Sequence, residues 1–253
     1  MLQVRHRYTS PMARLQLQPE RMVHGGRALA RDPNGEVVLV QGALPGEIVI
    51  AEVERRSGVQ QGVVTEVLEP SVDRVSPPPH PGLDLAFASY PLQLRLKRDV
   101  LLDAMKRAGV ALTGEVPAVR RSPSVWGYRS AIQPAVTKGR LGYRREGSGE
   151  VIVLDDDPTA NDALRTGWTT LLEVGVPRGV REMAMRGNDD GEVLVALVVQ
   201  DAGRALHDVA HALVQAGVSG VALAPFDPRG RFRSGKSRLA GTRSILQRYG
   251  DVT

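Results

Sequence analysis

The 253-residue sequence has no cysteine. That absence removes disulfides, thiolate metal sites, iron–sulfur clusters and sulfur nucleophiles from these residues. No run approaches the roughly 18 consecutive apolar residues of a membrane helix. The start also lacks a basic-then-apolar leader, so the expected compartment is the cytoplasm. Neither G-x-G-x-x-G nor P-loop spacing occurs, and no phosphate cradle of those kinds is expected. Lysine is scarce: Lys97, Lys106, Lys138 and Lys236 are the only four among 33 basic residues, leaving 29 arginines.

The apolar fraction of 42% is that of a globular protein, and the net charge of +5 points toward a polyanion. Arginine forks pair phosphates bidentately and stack on bases, which suits RNA. GC-rich codon usage would enrich arginine equally well.

Residues 1–13 read as a flexible arm. Four strands are then expected, Arg14–Gln18, Glu36–Gln41, Glu47–Arg55 and Gln61–Leu68, separated by turns at His24-Gly25-Gly26, Pro33-Asn34-Gly35, Leu44-Pro45-Gly46 and Ser57-Gly58. Strands this short, packed into so few residues, predict a small closed β barrel over residues 14–70. Residues 71–88 are proline-rich and read as a linker. From residue 89 to 253 an α+β domain with a mainly antiparallel sheet is expected. It opens on a helix capped by Ser89, with Pro91 in its first turn and Gly109 at its end. A hairpin should turn at Lys138-Gly139, with Pro134 marking an edge strand or bulge. Asp157-Pro158 should open a second helix, with Asp157 as its cap; Val180–Met185 and Glu192–Val199 should pair. A third helix is expected over Arg204–Gln215 and a strand over Val218–Ala224. Arg243–Tyr249 reads as one more strand, followed by a Gly250-Asp251 turn and a hairpin left half made, as if the domain were truncated.

Three clusters raise the question of chemistry. His207 and His211 stand one helical turn apart, but the apolar positions Leu206, Val209, Ala210 and Leu213 leave both histidines facing solvent, and no third ligand is evident. Asp155–Asp157 offers carboxylates for a cation, a weaker reading than helix capping. No metal site and no catalytic residue is assigned. The basic clusters carry more. Tyr128–Arg145 holds Arg129, Lys138, Arg140, Arg144 and Arg145 without an acid, and Phe226–Tyr249 holds Arg231, Arg233 and Lys236 among others. Tyr143 and Phe232 are interleaved as rings for stacking. Cations that track phosphates, together with rings that stack on unpaired bases, describe an RNA surface.

The stretch "GGRALARDPNGEVVLVQGALPGEIVIAEV", followed by "GVVTEVLEPSVDRVSP", resembles the TRAM domain, a small RNA-binding barrel. Tyr90, Gln93-Leu94, Lys97, Tyr128-Arg129 and Leu141-Gly142-Tyr143-Arg144 resemble the central domain of TRAM-containing, S-adenosylmethionine-dependent RNA uracil-C5 methyltransferases. The resemblance implies a partner RNA, ribosomal or transfer, with neither a membrane nor a disulfide-linked partner. Many relatives bind an iron–sulfur cluster through cysteines where this chain reads "PPPHPGL" and "LDDDP". No cluster is therefore expected, its place being taken by proline packing and an acid-capped helix. The family's cysteine nucleophile and its S-adenosylmethionine site lie in a third domain, so no cofactor is expected within this chain. The resulting expectation is an RNA-binding N-terminal portion, inactive alone. The alternative is a free-standing RNA-binding module with no methyltransferase activity.

Overall fold

The computed structural model describes residues 12–111, 113–146, 148–200, 205–227 and 236–248. They fall into two compact units, residues 1–77 with 83–122, and residues 78–82 with 123–253.

The first unit is a six-stranded sheet: β1 (Ala13–Leu17), β2 (Arg21–Val23), β3 (Arg27–Arg31), β4 (Val37–Gln41), β5 (Ile48–Arg56) and β6 (Val59–Glu69). The strand order is β1-β5-β6-β4-β3-β2, with β4 and β6 parallel and the other pairs antiparallel. Period-2 alternation sends Val38, Val40, Val49, Ala51 and Val53 into one core. The expected closed barrel is not met: the pairing is an open path with β1 and β2 at its ends. The edge at β2 is managed by a helix instead of a closing strand. Helix α1 (Tyr90–Arg107) packs Leu92, Leu96 and Val100 onto the same core, and Asp103 accepts from Arg21 at 3.0 Å. Ser89 caps α1 by accepting from the Leu92 N–H, proline stands in the first turn, and Gly109 follows the last turn at φ +69°.

The second unit is an eight-stranded sheet with two helices on one face. Its strands are β7 (Ala131–Ile132), β8 (Ala135–Thr137), β9 (Arg140–Arg144), β10 (Val151–Val153), β11 (Val180–Gly187), β12 (Val193–Val199), β13 (Gly220–Pro225) and β14 (Ser237–Gly241). The path runs β10-β9-β8-β11-β12-β13-β14, with β7 also paired to β11; only β12 and β13 run parallel. Helices α2 (Asp162–Val174) and α3 (Ala205–Gln215) bury Leu164, Trp168, Leu171, Leu206, Ala210 and Leu213 against Met183, Met185, Val195 and Leu197. The β8–β9 hairpin turns at Lys138 (φ +49°) and Gly139 (φ +76°), as expected of a two-residue turn. Pro134 interrupts the ladder between β7 and β8.

Two local expectations are overturned. The cap of α2 is Asn161, which accepts from the Leu164 N–H at 3.0 Å, and not Asp157. Asp157 stands too early because residues 158–160 form a turn, closed by the Ala160 N–H on the Asp157 carbonyl. Residues 243–248 form no strand; they run irregularly past the β11–β12 turn, where the Leu246 carbonyl accepts from Asn188. The predicted Gly250-Asp251 turn lies outside the described residues.

Candidate nucleic-acid interface

Strand β9 divides its side chains between two environments. Leu141 and Tyr143 turn toward the helices, which leaves Arg140, Gly142 and Arg144 on the opposite face of the sheet. The same alternation puts Glu182, Ala184 and Arg186 of β11 on that face, since Met183 and Met185 are in the helix-covered core. Lys138 projects from the exposed hairpin tip and Arg145 follows β9.

The fold supplies acids that the local sequence lacks. Arg140 pairs with Asp155 at 2.5 Å, Arg145 with Glu150 at 2.8 Å, and Arg144 with Glu182 at 2.6 Å. The pairs of Arg140 and Arg145 are solvent-exposed and contribute little to stability. Arg144 differs: the Glu182 side chain is only 4% exposed and also accepts from Gln133, so this guanidinium neutralises a buried carboxylate. Arg129 is half-buried, with its backbone bonded to Thr159 and Asn161 and its guanidinium 5.9 Å from the Tyr128 ring centroid. Lys236 is exposed at the start of β14; Arg231, Phe232 and Arg233 lie outside the described residues.

Tyr143 is turned inward, away from the position a stacking platform would need. Its ring lies 4.7 Å from that of His80 and 6.3 Å from that of Trp168, and its hydroxyl donates to Asp157 at 2.6 Å. Burial, reinforced by the Asp157 charge, pushes the phenol well above its ordinary value. Asp157 is the hub of a buried network, accepting from the Thr159 N–H at 2.8 Å and the Thr159 hydroxyl at 2.6 Å. Burial alone would raise its pKa, but polar contacts from His80, Thr159 and Tyr143 outweigh that and hold it well below the usual carboxylate range. His80 Nε2 stands 3.6 Å from Asp157 Oδ1, with both side chains 1% exposed. The Gly82 N–H donates to His80 Nδ1 at 3.0 Å, which leaves Nε2 as the ring nitrogen nearer the carboxylate. The two stretches "PPPHPGL" and "LDDDP" thus meet through an imidazole and a carboxylate. Sequence reasoning named both stretches but missed His80.

The three aspartates at 155–157 do not converge. Asp155 faces Arg140, Asp156 faces Arg165 at 2.5 Å, and Asp157 faces Tyr143 and Thr159. His207 and His211 are exposed on α3, as its apolar pattern predicts. Among the described residues no group of three or more acids and histidines is arranged to hold a metal ion, and no helix is long and apolar enough to cross a membrane.

In the first unit the motif residues serve a buried ion pair. The Glu47 carboxylate accepts from the N–H groups of Leu44 and Ser71 at 2.8 and 3.0 Å, and from Arg74 Nε and Nη2 at 2.7 and 2.6 Å. Arg74 also donates to the Gly42 carbonyl at 2.8 Å and lies 4.9 Å from the Phe87 ring centroid. The Leu44-Pro45-Gly46-Glu47 corner, Ser71 and Arg74 therefore form one knot.

Comparison with known proteins places this architecture. The chain is 33% identical over 195 residues to the 23S rRNA (uracil(1939)-C(5))-methyltransferase RlmD of Halomonas elongata, covering 72% of this chain and 40% of that protein. It is 35% identical over 164 residues to an uncharacterized RNA methyltransferase of Thermotoga maritima, covering 62% of this chain and 37% of that protein. Its homologues thus include RNA uracil-C5 methyltransferases, and the chain spans about 40% of the length of those curated relatives. No family model matches the chain. Its fold is that of part of the Pyrococcus abyssi tRNA (uracil-54, C5)-methyltransferase, solved with S-adenosyl-L-homocysteine. The TM-score is 0.67 at 21% identity, covering 92% of this chain and 57% of that one.

Proposed function

We propose that this chain is the RNA-gripping portion of an RNA uracil-C5 methyltransferase system, with the first unit acting as a TRAM-type RNA-binding module. The observation that carries this reading is similarity to uracil-C5 methyltransferases over 72% of a chain that holds no cysteine. The thiolate that the resemblance implies for attack on uracil C6 would come from polypeptide outside these residues, as would the S-adenosylmethionine site.

On the second unit, Lys138, Arg140 and Arg145 are the phosphate contacts, because each is exposed and held by no buried acid. Arg129 and Lys236 extend the surface, whereas Arg144 lines it while balancing Glu182. Tyr143 supports the surface from behind through Asp157.

The test is the affinity of the 253-residue protein for a uridine-containing stem-loop RNA across a salt series. A Lys138→Ala/Arg145→Ala double variant should bind more weakly and lower the salt slope by about two. An unchanged slope removes these residues from the interface. Incubation with S-adenosylmethionine and that RNA should yield no 5-methyluridine; methylation by the chain alone would overturn the assignment of the chemistry to other polypeptide.

A further inference from the structure

Two aromatic rings of the second unit are left in solvent. Trp126 is 40% exposed and Tyr128 53%, whereas every other tryptophan, tyrosine and phenylalanine among the described residues is buried or half-buried. A large ring gains by burial, so packing gives no account of two uncovered rings separated by a single glycine. The backbone that carries them is nonetheless held firmly. The Gly127 N–H donates to the Pro158 carbonyl at 3.0 Å, the Arg129 N–H to the Thr159 carbonyl at 2.8 Å, and the Asn161 N–H to the Arg129 carbonyl at 2.9 Å. Arg129 and Ala160 form a parallel bridge, and Thr159 and Ala160 are buried. The rings therefore stand on a fixed support, and engaging a ligand there needs no ordering of the main chain.

A cation stands beside the rings. The Arg129 guanidinium lies 5.9 Å from the Tyr128 ring centroid, and no carboxylate among the described residues pairs with it. The acids that border its ladder are already taken: Asp155 by Arg140, Asp156 by Arg165, and Asp157 by Tyr143 and Thr159. Exposed rings next to an unpaired guanidinium fit a flat, uncharged ring that carries an anion, which is the chemistry of a nucleotide with its base unstacked. A protein partner could cover the rings but would have to bring its own carboxylate to Arg129, and a duplex keeps its base faces stacked on one another. We propose that Trp126 and Tyr128 form a stacking platform for two neighbouring nucleotides of single-stranded RNA. One base lies on each ring, and Arg129 meets the phosphate between them. The platform rests on the RNA-binding reading given above, and it takes the stacking role that Tyr143, turned inward, cannot fill.

The experiment titrates hexauridylate into the full chain and follows tryptophan emission, with a hexamer of the same ribose–phosphate backbone lacking bases as control. Hexauridylate should quench the exposed Trp126 and the base-free hexamer should not. The Trp126→Phe variant, whose remaining emission comes from buried Trp168, should show no quenching. In fluorescence anisotropy with fluorescein-labelled hexauridylate, Trp126→Ala and Tyr128→Ala should each weaken binding about tenfold. The salt slope should not change, because neither substitution removes a charge. If circular dichroism finds an alanine variant unfolded, quenching in the unaltered chain decides the matter. Unchanged binding by both alanine variants, with weakening in Lys138→Ala/Arg145→Ala, overturns the platform in favour of a protein contact and leaves the broader reading standing. Equal quenching by the base-free hexamer also overturns it, since charge alone would then account for occupancy. Absence of any binding by the unaltered chain overturns both.

Discussion

Glu47 and Asp157 are both fully buried carboxylates, yet they are balanced in different ways. Glu47 faces a guanidinium: burial by itself would raise its pKa, but the Arg74 hydrogen bonds and the Leu44 and Ser71 N–H groups bring it below its ordinary value. Replacing Glu47 by Gln removes one charge of a largely desolvated pair and should cost about 3 kcal/mol in urea unfolding at neutral pH. For both groups the folded pKa lies below the unfolded one, so their stabilisation is complete above the ordinary carboxylate range. It is lost as pH falls from there through the folded values. The fall in stability between about pH 5 and pH 3 should accordingly be shallower in Glu47→Gln than in the parent, with equal slopes excluding Glu47 as a contributor. Asp157 has no guanidinium partner; Tyr143 and Thr159 donate to it, and His80 Nε2 stands 3.6 Å away. Its replacement by Ala leaves the Tyr143 hydroxyl and both Thr159 donors unsatisfied, an expected loss of about 3 kcal/mol. Asp157→Asn should recover part of that loss. Equal losses in the two variants would show that the donors do not matter.

At the scale of elements, the Leu141-Gly142-Tyr143-Arg144 run becomes intelligible residue by residue. Leu141 fills the core, Tyr143 reaches Asp157, and Arg144 covers Glu182. Gly142 is there for space: a Cβ at that position would come within 2.0 Å of the Ile152 carbonyl oxygen on β10. Gly142→Ala should push β9 and β10 apart, lowering the melting temperature and accelerating amide exchange in Val151–Val153 while α3 stays protected; uniform exchange across the unit would contradict a local effect. The cap of α2 offers a milder test. Asn161→Ala should cost about 1 kcal/mol, read from the urea midpoint. The long elements were legible because their period is strong: β5, β6, β11, β12, α1 and α3 all fall close to their expected bounds. Strand β2 escaped because three residues carry too little alternation to be seen, and β3 because its buried positions are the alanines Ala28 and Ala30, weak strand formers. The cap was misplaced because an acid before a helix has two uses, and which one holds depends on Tyr143 and His80, distant in sequence.

For the whole molecule, charge must be judged in space. The run from Tyr128 to Arg145 reads as acid-free, yet Glu150, Asp155 and Glu182 return to it through the fold. The cationic surface is therefore weaker than its sequence implies, and the cations still available to an anion are the exposed ones. Connectivity bears on experiment as well. The backbone leaves the first unit at Pro78, returns at Leu83 and departs again at Pro123. No single cut therefore yields both units whole. A polypeptide begun at residue 123 would carry Asp157 and Tyr143 but forfeit the imidazole lent by the borrowed pentapeptide. Dissection of this protein calls for grafting residues 78–82 onto the second unit, not for trimming.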